Sequence, residues 1–161
     1  MKKTFLFIFL IITSFRVLLA DDIVGEPIHI AGIENPVSIT ISHDGLKMII
    51  IDWPKRGLPM MKQAQRPYIE SGWSSADGVG VVNKFIKPEI RVESPCFSHD
   101  GKFLYFAANF DDTNGGMDIY YCRNNNGLWG EPMNMGGPIN TPEDENSPSI
   151  SGNNRSFFFT R

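Results

Sequence analysis

The feature that most constrains this chain is a short segment that recurs at a regular spacing. Residues 38–45 read SITISHDG, and residues 94–101 read SPCFSHDG, 56 residues further on (38 to 94). A looser copy, SPSISGNN, occupies residues 147–154. Trp73 and Trp129 keep the same spacing. Markers that share one period of this length indicate a tandem structural repeat, as in solenoids and propellers.

Each copy of the segment predicts a β-hairpin. Gly45 and Gly101 follow an aspartate between apolar runs, and glycine adopts the positive φ of a tight turn at no steric cost. Asn154 takes that position in the third copy, and Asn tolerates the conformation better than most residues. We expect the Ser and Asp oxygens of these turns to bond within the turn. The flanking runs are rich in aromatic and branched residues, which favour strands.

The sequence therefore predicts an all-β fold, an incomplete β-propeller of about two and a half four-stranded antiparallel blades. The blades are expected at about residues 38–82 and 94–135, with an incomplete third blade at residues 147–161. Residues 25–32 (GEPIHIAG) match residues 130–137 (GEPMNMGG), which end a repeat. Residues 23–31 are thus expected to form an orphan outer strand that completes the blade supplied by the other terminus.

Large side chains occur at successive positions in several strands, including residues 48–51, 103–106 and 157–159. Both faces of each blade are therefore expected to be buried against a neighbour. Trp73 and Trp129 are expected to fill the space between adjacent blades. A carbohydrate-stacking role for them is the alternative, disfavoured because packing alone explains one tryptophan per repeat.

Residues 1–20 have the layout of a secretory signal peptide, and residues 21–161 would form the exported domain, in the periplasm or outside the cell. Lys2 and Lys3 precede an apolar run, and Ala20 offers a small residue for cleavage. An uncleaved anchor is the alternative. Arg16 interrupts the apolar stretch, which therefore falls short of the roughly 20 apolar residues of a stable membrane span.

The net charge argues against two classes of binding protein, and the positions of the cysteines predict free thiols. The formal net charge is −3, and no basic stripe is present, which argues against a nucleic-acid or membrane-surface binder. Cys96 and Cys122 are expected on strands separated by a third strand, roughly 9–10 Å apart. A disulfide needs Cα atoms within about 7 Å, so the sequence predicts two free, largely buried thiols.

Residues 94–106, 116–120, 129–141 and 144–148 closely resemble the WD-like β-propeller repeat of TolB and many exported bacterial envelope proteins. The resemblance is strong over residues 94–161, fair over 23–58 and poor over 58–87, where MMKQA at residues 60–64 replaces an Asp-Ile-Tyr strand. It implies a propeller with an envelope or extracellular address that binds proteins. The family that the chain resembles has no shared catalytic residues.

No phosphate-binding loop or metalloprotease, redox or hydrolase motif is present, so no catalytic residue, metal site or cofactor is predicted. The oxygen-rich loop from Asp111 to Asp118 could hold Ca²⁺, but it lacks the spacing and distal Glu of an EF-hand, and a turn is favoured. His43 and His99 are interpreted as turn residues of different blades rather than metal ligands.

Three glutamates precede the innermost strands and would ring one mouth of the channel: Glu34, Glu93 and Glu145. They are interpreted either as solvated rim charges or as acids of a glycosidase-like site. Two functions follow. The favoured one is a non-catalytic scaffold that binds a protein partner in the bacterial cell envelope. The alternative, a fragment of a propeller enzyme that hydrolyses glycans or peptides, rests on fold analogy alone.

Propellers typically have about four to eight blades, more than this chain supplies. The chain would then be a fragment of a longer protein, which is favoured, or assemble with copies of itself, or be a decayed gene product. If it ends at Arg161, the edge at residues 157–160 is expected to be exposed and to promote self-association.

Overall fold

The computed structural model describes residues 29–161 and, before them, only the backbone of two antiparallel strands, β1 (Phe7–Ile11) and β2 (Ser14–Leu18). The predicted signal peptide at residues 1–20 and most of the predicted outer strand at residues 23–31 otherwise lie outside the described residues. Residues 29–31 are not in a strand. The Ala31 carbonyl accepts a hydrogen bond from the Ala76 amide at 2.8 Å, which ties this segment to the first sheet of the domain.

The fold is all-β, as predicted, with antiparallel sheets, one of them strongly curled into a half-barrel, and almost no helix. The first sheet has the order β3-β4-β5-β6: β3 (Pro36–Ile41), β4 (Lys47–Asp52), β5 (Met60–Gln65) and β6 (Asp77–Gly78). A single short helix among the described residues, α1 (Gly80–Asn83), follows it.

The second sheet has the order β10-β9-β8-β7, and β11 also pairs with β9. Its strands are β7 (Val92–Phe97), β8 (Phe103–Ala108), β9 (Asp118–Asn125), β10 (Leu128–Trp129) and β11 (Met133–Asn134). The third sheet is the pair β12 (Asn146–Ile150) and β13 (Phe157–Thr160). Strand β7 contacts both β3 and β12, so the first strands of the three sheets are neighbours.

Strand β5 forms where the resemblance to the propeller repeat is poor. It pairs with β4 over its whole length, from Met60 opposite Asp52 to Gln65 opposite Lys47. The Met61 side chain is completely buried. A strand is therefore retained here because burial and pairing with β4 outweigh the weak β-propensity of lysine and alanine.

The three hairpin turns have the predicted backbone. Gly45 and Gly101 have φ of +72° and +67°, and Asn154 has φ of +56°. In the first turn the Ser42 hydroxyl donates to the Asp44 carboxylate at 2.6 Å. The second and third turns contain the same side-chain bond, at 2.7 Å in each, between Ser98 and Asp100 and between Ser151 and Asn153.

These hydroxyl bonds stabilise the charged form of the turn carboxylates. The bond from Ser42, followed by the Leu46 amide, holds the pKa of Asp44 below its ordinary value. Ser98 does the same for the pKa of Asp100. Both carboxylates are largely solvated, so the effect acts on the turn itself rather than on the core.

Strand β4 is buried on both faces, as its sequence predicts. Ile49 and Ile51 belong to the main cluster between the first and second sheets, together with Leu104 and Phe106 of β8. Met48 and Ile50 belong to a separate cluster on the opposite face, and Trp73 packs against it. Trp129 packs against the main cluster, at the junction of two sheets where packing was expected.

The third sheet is less complete. Phe157 and Phe159 pack against a third cluster, which contains Met117 and Ile119. Phe158 is 59% exposed, so only one face of β13 is covered by described residues. Strand β13 pairs only with β12 among the described strands.

The cysteines are free, as predicted. Cys96 lies in β7 opposite Tyr105, and Cys122 lies within β9 opposite Leu104, so β8 separates them. Cys122 is fully buried and Cys96 half-buried. Burial raises the pKa of the Cys122 thiol to about 12 and also raises the pKa of Cys96.

Candidate functional site

The three glutamates that were candidates for a channel mouth have different environments. Glu34 is exposed before β3, Glu93 is half-buried within β7, and Glu145 is fully buried before β12. Among residues 29–161, no group of three or more acidic, histidine or cysteine side chains is placed to hold a metal ion.

Glu145 has a structural role. Its carboxylate accepts hydrogen bonds from the Thr141 amide at 3.0 Å and the Thr141 hydroxyl at 2.5 Å, and from Arg161 Nε at 2.8 Å. Burial alone would raise the pKa of Glu145, but the bonds from Thr141 and Arg161 outweigh it and hold the pKa below its ordinary value. Its oxygens are occupied by these donors, so it joins the loop before β12 to the end of β13. The interpretation of Glu145 as a solvated charge at the rim of a channel is therefore wrong.

A second buried carboxylate, Asp52 at the end of β4, was missed by the sequence analysis. It is completely buried and accepts from the Glu34 and Asn35 amides, the latter at 2.6 Å, and from Lys62 Nζ at 2.7 Å. Buried charges are tolerated when paired in this way. The available signal was an aspartate that directly continues a run of four buried apolar residues.

The acidic loop from Asp111 to Asp118 directs its carboxylates to separate partners. Asp111 pairs with Lys87, and Asp112 accepts from the Tyr120 hydroxyl at 2.7 Å. Asp118 accepts from the Asn114 amide and from Asn134 Nδ2. These are contacts that fold the loop, in agreement with the favoured turn interpretation.

Two asparagines have a role that the sequence analysis did not find. Asn83 Oδ1 accepts from the Met61 amide, and Asn83 Nδ2 donates to the Met61 carbonyl, both at 2.9 Å. Asn140 makes the same pair of bonds with Ile119, also at 2.9 Å. Each side chain thus bonds to both backbone groups of one residue in the third strand of its sheet, because an amide offers one acceptor and two donors.

His43 and His99 are in contact, although the sequence analysis placed them apart. Their ring centroids are 3.6 Å apart, with the planes tilted by 38°. The His99 amide donates to Asn154 Oδ1 at 2.9 Å, which links the second turn to the third. The three turns therefore lie side by side on one surface of the molecule.

A groove of about 370 Å³ lies beside the loop between β4 and β5. It is lined by Pro54, Arg56, Gly57, Leu58, Pro59, Met60, Asn83 and Ile86. Leu58 and Met60 of this lining are 38% and 36% exposed, and the neighbouring Trp53 is 41% exposed. Exposed apolar side chains that border one groove can form an apolar patch of the kind that marks interaction sites.

The charged side chains at this groove are positive. Lys55 and Arg56 are exposed, and neither forms an ion pair with another described residue. No acidic side chain lines the groove. The groove therefore offers apolar contact area together with positive charge that no described acidic side chain pairs, in a chain whose net charge is negative.

No family model matches this chain, and no curated protein matches it significantly. In the part of the chain that the structure describes, no helix has the length and hydrophobicity needed to cross a membrane.

Proposed function

We propose that this chain is an exported, non-catalytic β-propeller repeat protein that acts as a protein-binding scaffold in the bacterial cell envelope. The resemblance of residues 94–161 to the exported propeller repeats supports the class. The first strands β3, β7 and β12 would be the innermost strands of successive blades, since they are neighbours in space.

Local geometry supports the repeat. The three hairpin turns share one side-chain bond between the first and third turn residues. Each first strand has a register shift near its start. Ser94 and Ser147 both have φ of +53° at this irregularity, an uncommon conformation for a residue other than glycine.

The groove beside the β4–β5 loop carries the functional proposal. Its partner is a peptide segment with apolar side chains and at least one carboxylate, because the groove is apolar and its only charged lining group is Arg56. Leu58 and Met60 would contact the apolar side chains, and Lys55 and Arg56 the carboxylate. A groove of this volume falls within the range of roughly 300–1,000 Å³ that is typical of ligand sites.

A displayed library of short random peptides tests this function. We expect selection on the wild-type protein to enrich sequences that combine large apolar residues with Asp or Glu. Leu58→Glu should abolish the enrichment, whereas Leu128→Glu, on the exposed strand β10, should retain it. Enrichment of basic peptides, or a Leu58→Glu protein that is folded by circular dichroism and still selects the same sequences, would overturn the proposal.

The enzyme alternative has less support. Glu145, one of its candidate acids, has its carboxylate occupied by Thr141 and Arg161. The alternative therefore depends on Glu34 and Glu93 alone.

A further inference from the structure

The sequence contains two Asn-Gly pairs, Asn114–Gly115 and Asn126–Gly127. In such a pair the backbone nitrogen of glycine can attack the side-chain amide carbon of the preceding asparagine, because glycine has no Cβ to obstruct the approach. All four residues are exposed, in the connections between strands of the second sheet. The structure gives the two glycine amides different hydrogen bonds, and this difference decides which pair can react.

The first pair lies in the loop between β8 and β9. The Asn114 amide donates to Asp118 at 2.8 Å, and the Gly115 carbonyl accepts from the Thr113 hydroxyl at 3.2 Å. Between these two anchored groups, the Asn114 carbonyl and the Gly115 amide form no hydrogen bond with another described residue. The Asn114 side chain forms none either. The attacking nitrogen and the carbon that it attacks are therefore unconstrained by hydrogen bonds and accessible to water.

The second pair lies in the turn between β9 and β10 and provides an internal comparison. The Gly127 amide donates to Asn124 Oδ1 at 2.7 Å. Asn126 and Gly127 also have φ of +54° and +94°, which the reversal between the two strands requires. Attack by the Gly127 nitrogen would first have to break this hydrogen bond and distort the turn. The same chemistry is therefore hindered at Asn126.

We propose that Asn114 is a site of spontaneous deamidation in the folded protein and that Asn126 is protected. The Gly115 nitrogen gives up its proton to the solvent and forms a bond to Asn114 Cγ. The bond from Cγ to the side-chain nitrogen breaks, and this nitrogen leaves as ammonia. One water then opens the cyclic succinimide at either carbonyl, which yields aspartate or isoaspartate. The net change consumes one water, releases one ammonia and involves no oxidation or reduction.

The product would disturb a tightly packed part of the loop. A Cβ on Gly115 would overlap the Pro142 carbonyl, so the backbone here lies directly against the segment that precedes β12. Isoaspartate adds a methylene to the backbone immediately before Gly115. The reaction also adds a carboxylate to a loop that already contains Asp111 and Asp112. Deamidation of Asn114 therefore weakens the contact between this loop and the segment before the third sheet.

Incubation of the purified full chain in mildly alkaline buffer tests the proposal. Digestion and mass spectrometry at several times, with an unaged sample processed in parallel, measure aspartate and isoaspartate at both sites. We expect Asn114 to convert at least tenfold faster than Asn126 in the folded protein. In urea the two sites should convert at similar rates, because both are then unstructured Asn-Gly pairs. Conversion of Asn114 that is no faster than that of Asn126 in the folded protein would overturn the proposal.

Two variants separate the parts of the argument. Asn124→Ala removes the acceptor of the Gly127 amide and should accelerate conversion at Asn126 in the folded protein, whereas an unchanged rate would show that this hydrogen bond does not protect the site. Aged wild-type protein should unfold at a lower urea concentration than fresh protein. Aged Asn114→Ala protein should not, because it lacks the reacting side chain. Equal losses of stability in the two aged proteins would refute the expected effect on the loop.

Discussion

The imidazole rings of His43 and His99 lie 3.6 Å apart, although 56 residues separate them in the chain (43 to 99). They belong to equivalent turns of neighbouring sheets, so their contact reports how closely the first strands approach one another. We expect the pair to contribute a coupling free energy of about 0.5 kcal/mol, the low end for aromatic pairs, because both rings are exposed. A double-mutant cycle with His43→Ala and His99→Ala in urea unfolding measures it. A coupling of zero would mean that the two rings do not interact in solution.

Asn83 and Asn140, which bond to the backbone of the third strands, should contribute more to stability than the histidine pair. Asn140→Ala is expected to lower the free energy of unfolding by about 1–3 kcal/mol, since the Ile119 amide loses its side-chain partner in a buried setting. Asn83→Ala should act in the same direction with a smaller effect, because Asn83 is only half-buried. Chemical denaturation checks both. The exposed Asn114→Ala should stay within about 0.5 kcal/mol of the wild type.

Glu145 should make the free energy of unfolding depend on pH in the acidic range. Its pKa in the folded protein is lowered, so its contribution is fully present above the pKa of the unfolded chain, about 4.3, and is lost as pH falls below that value. Glu145→Gln should therefore be less stable than the wild type at neutral pH, and the difference should shrink as the pH falls from 5 towards 2. Urea unfolding at several pH values measures the difference. A constant difference across this range would contradict the assignment.

The cysteines should react according to burial. At neutral pH Cys122 carries almost no thiolate, because burial raises its pKa to about 12. We expect iodoacetamide to leave Cys122 unmodified in the folded protein. Both cysteines should be alkylated after denaturation without reductant. Mass spectrometry of the intact and digested protein follows the adducts, and an unmodified pair after denaturation would reveal a disulfide.

Gly116 should tolerate no side chain. A Cβ at this position would overlap the Asp144 carboxylate, which also accepts the Met117 amide at 2.7 Å. Gly116→Ala is therefore expected to destabilise the protein by about 1–3 kcal/mol, the cost of overpacking. Thermal unfolding compared with Gly72→Ala, whose Cβ would meet nothing within 4 Å, isolates the effect. Equal stability of the two variants would show that Asp144 moves away freely.

Local chemistry in the sequence was sufficient to predict the turns, most of the strands and the free thiols. The positive φ of Gly45, Gly101 and Asn154 follows from residue type at a reversal, and the separation of Cys96 from Cys122 follows from strand order. These features depend on neighbours along the chain. The sequence therefore contained the information needed to predict them.

Features that depend on contacts across the chain were missed. Helix α1 is too short to produce a periodic pattern, and Asn83 and Asn140 look like ordinary loop asparagines until Met61 and Ile119 are placed beside them. Glu145 was interpreted as a rim charge because its burial is visible only when Thr141 and Arg161 surround it. The groove beside Leu58 lies where the resemblance is poor, so a repeat pattern could not indicate it.

The asparagine closures also bear on how such a chain can change over evolutionary time. Asn83 and Asn140 bond to the third strands beside outer strands that contain only two residues each, β6 and β11, and that therefore form few backbone pairs. Insertions and drift in the peripheral segments then cost little stability. The inner hairpins, β3–β4 and β7–β8, which are paired over more residues, are therefore expected to change more slowly than the periphery.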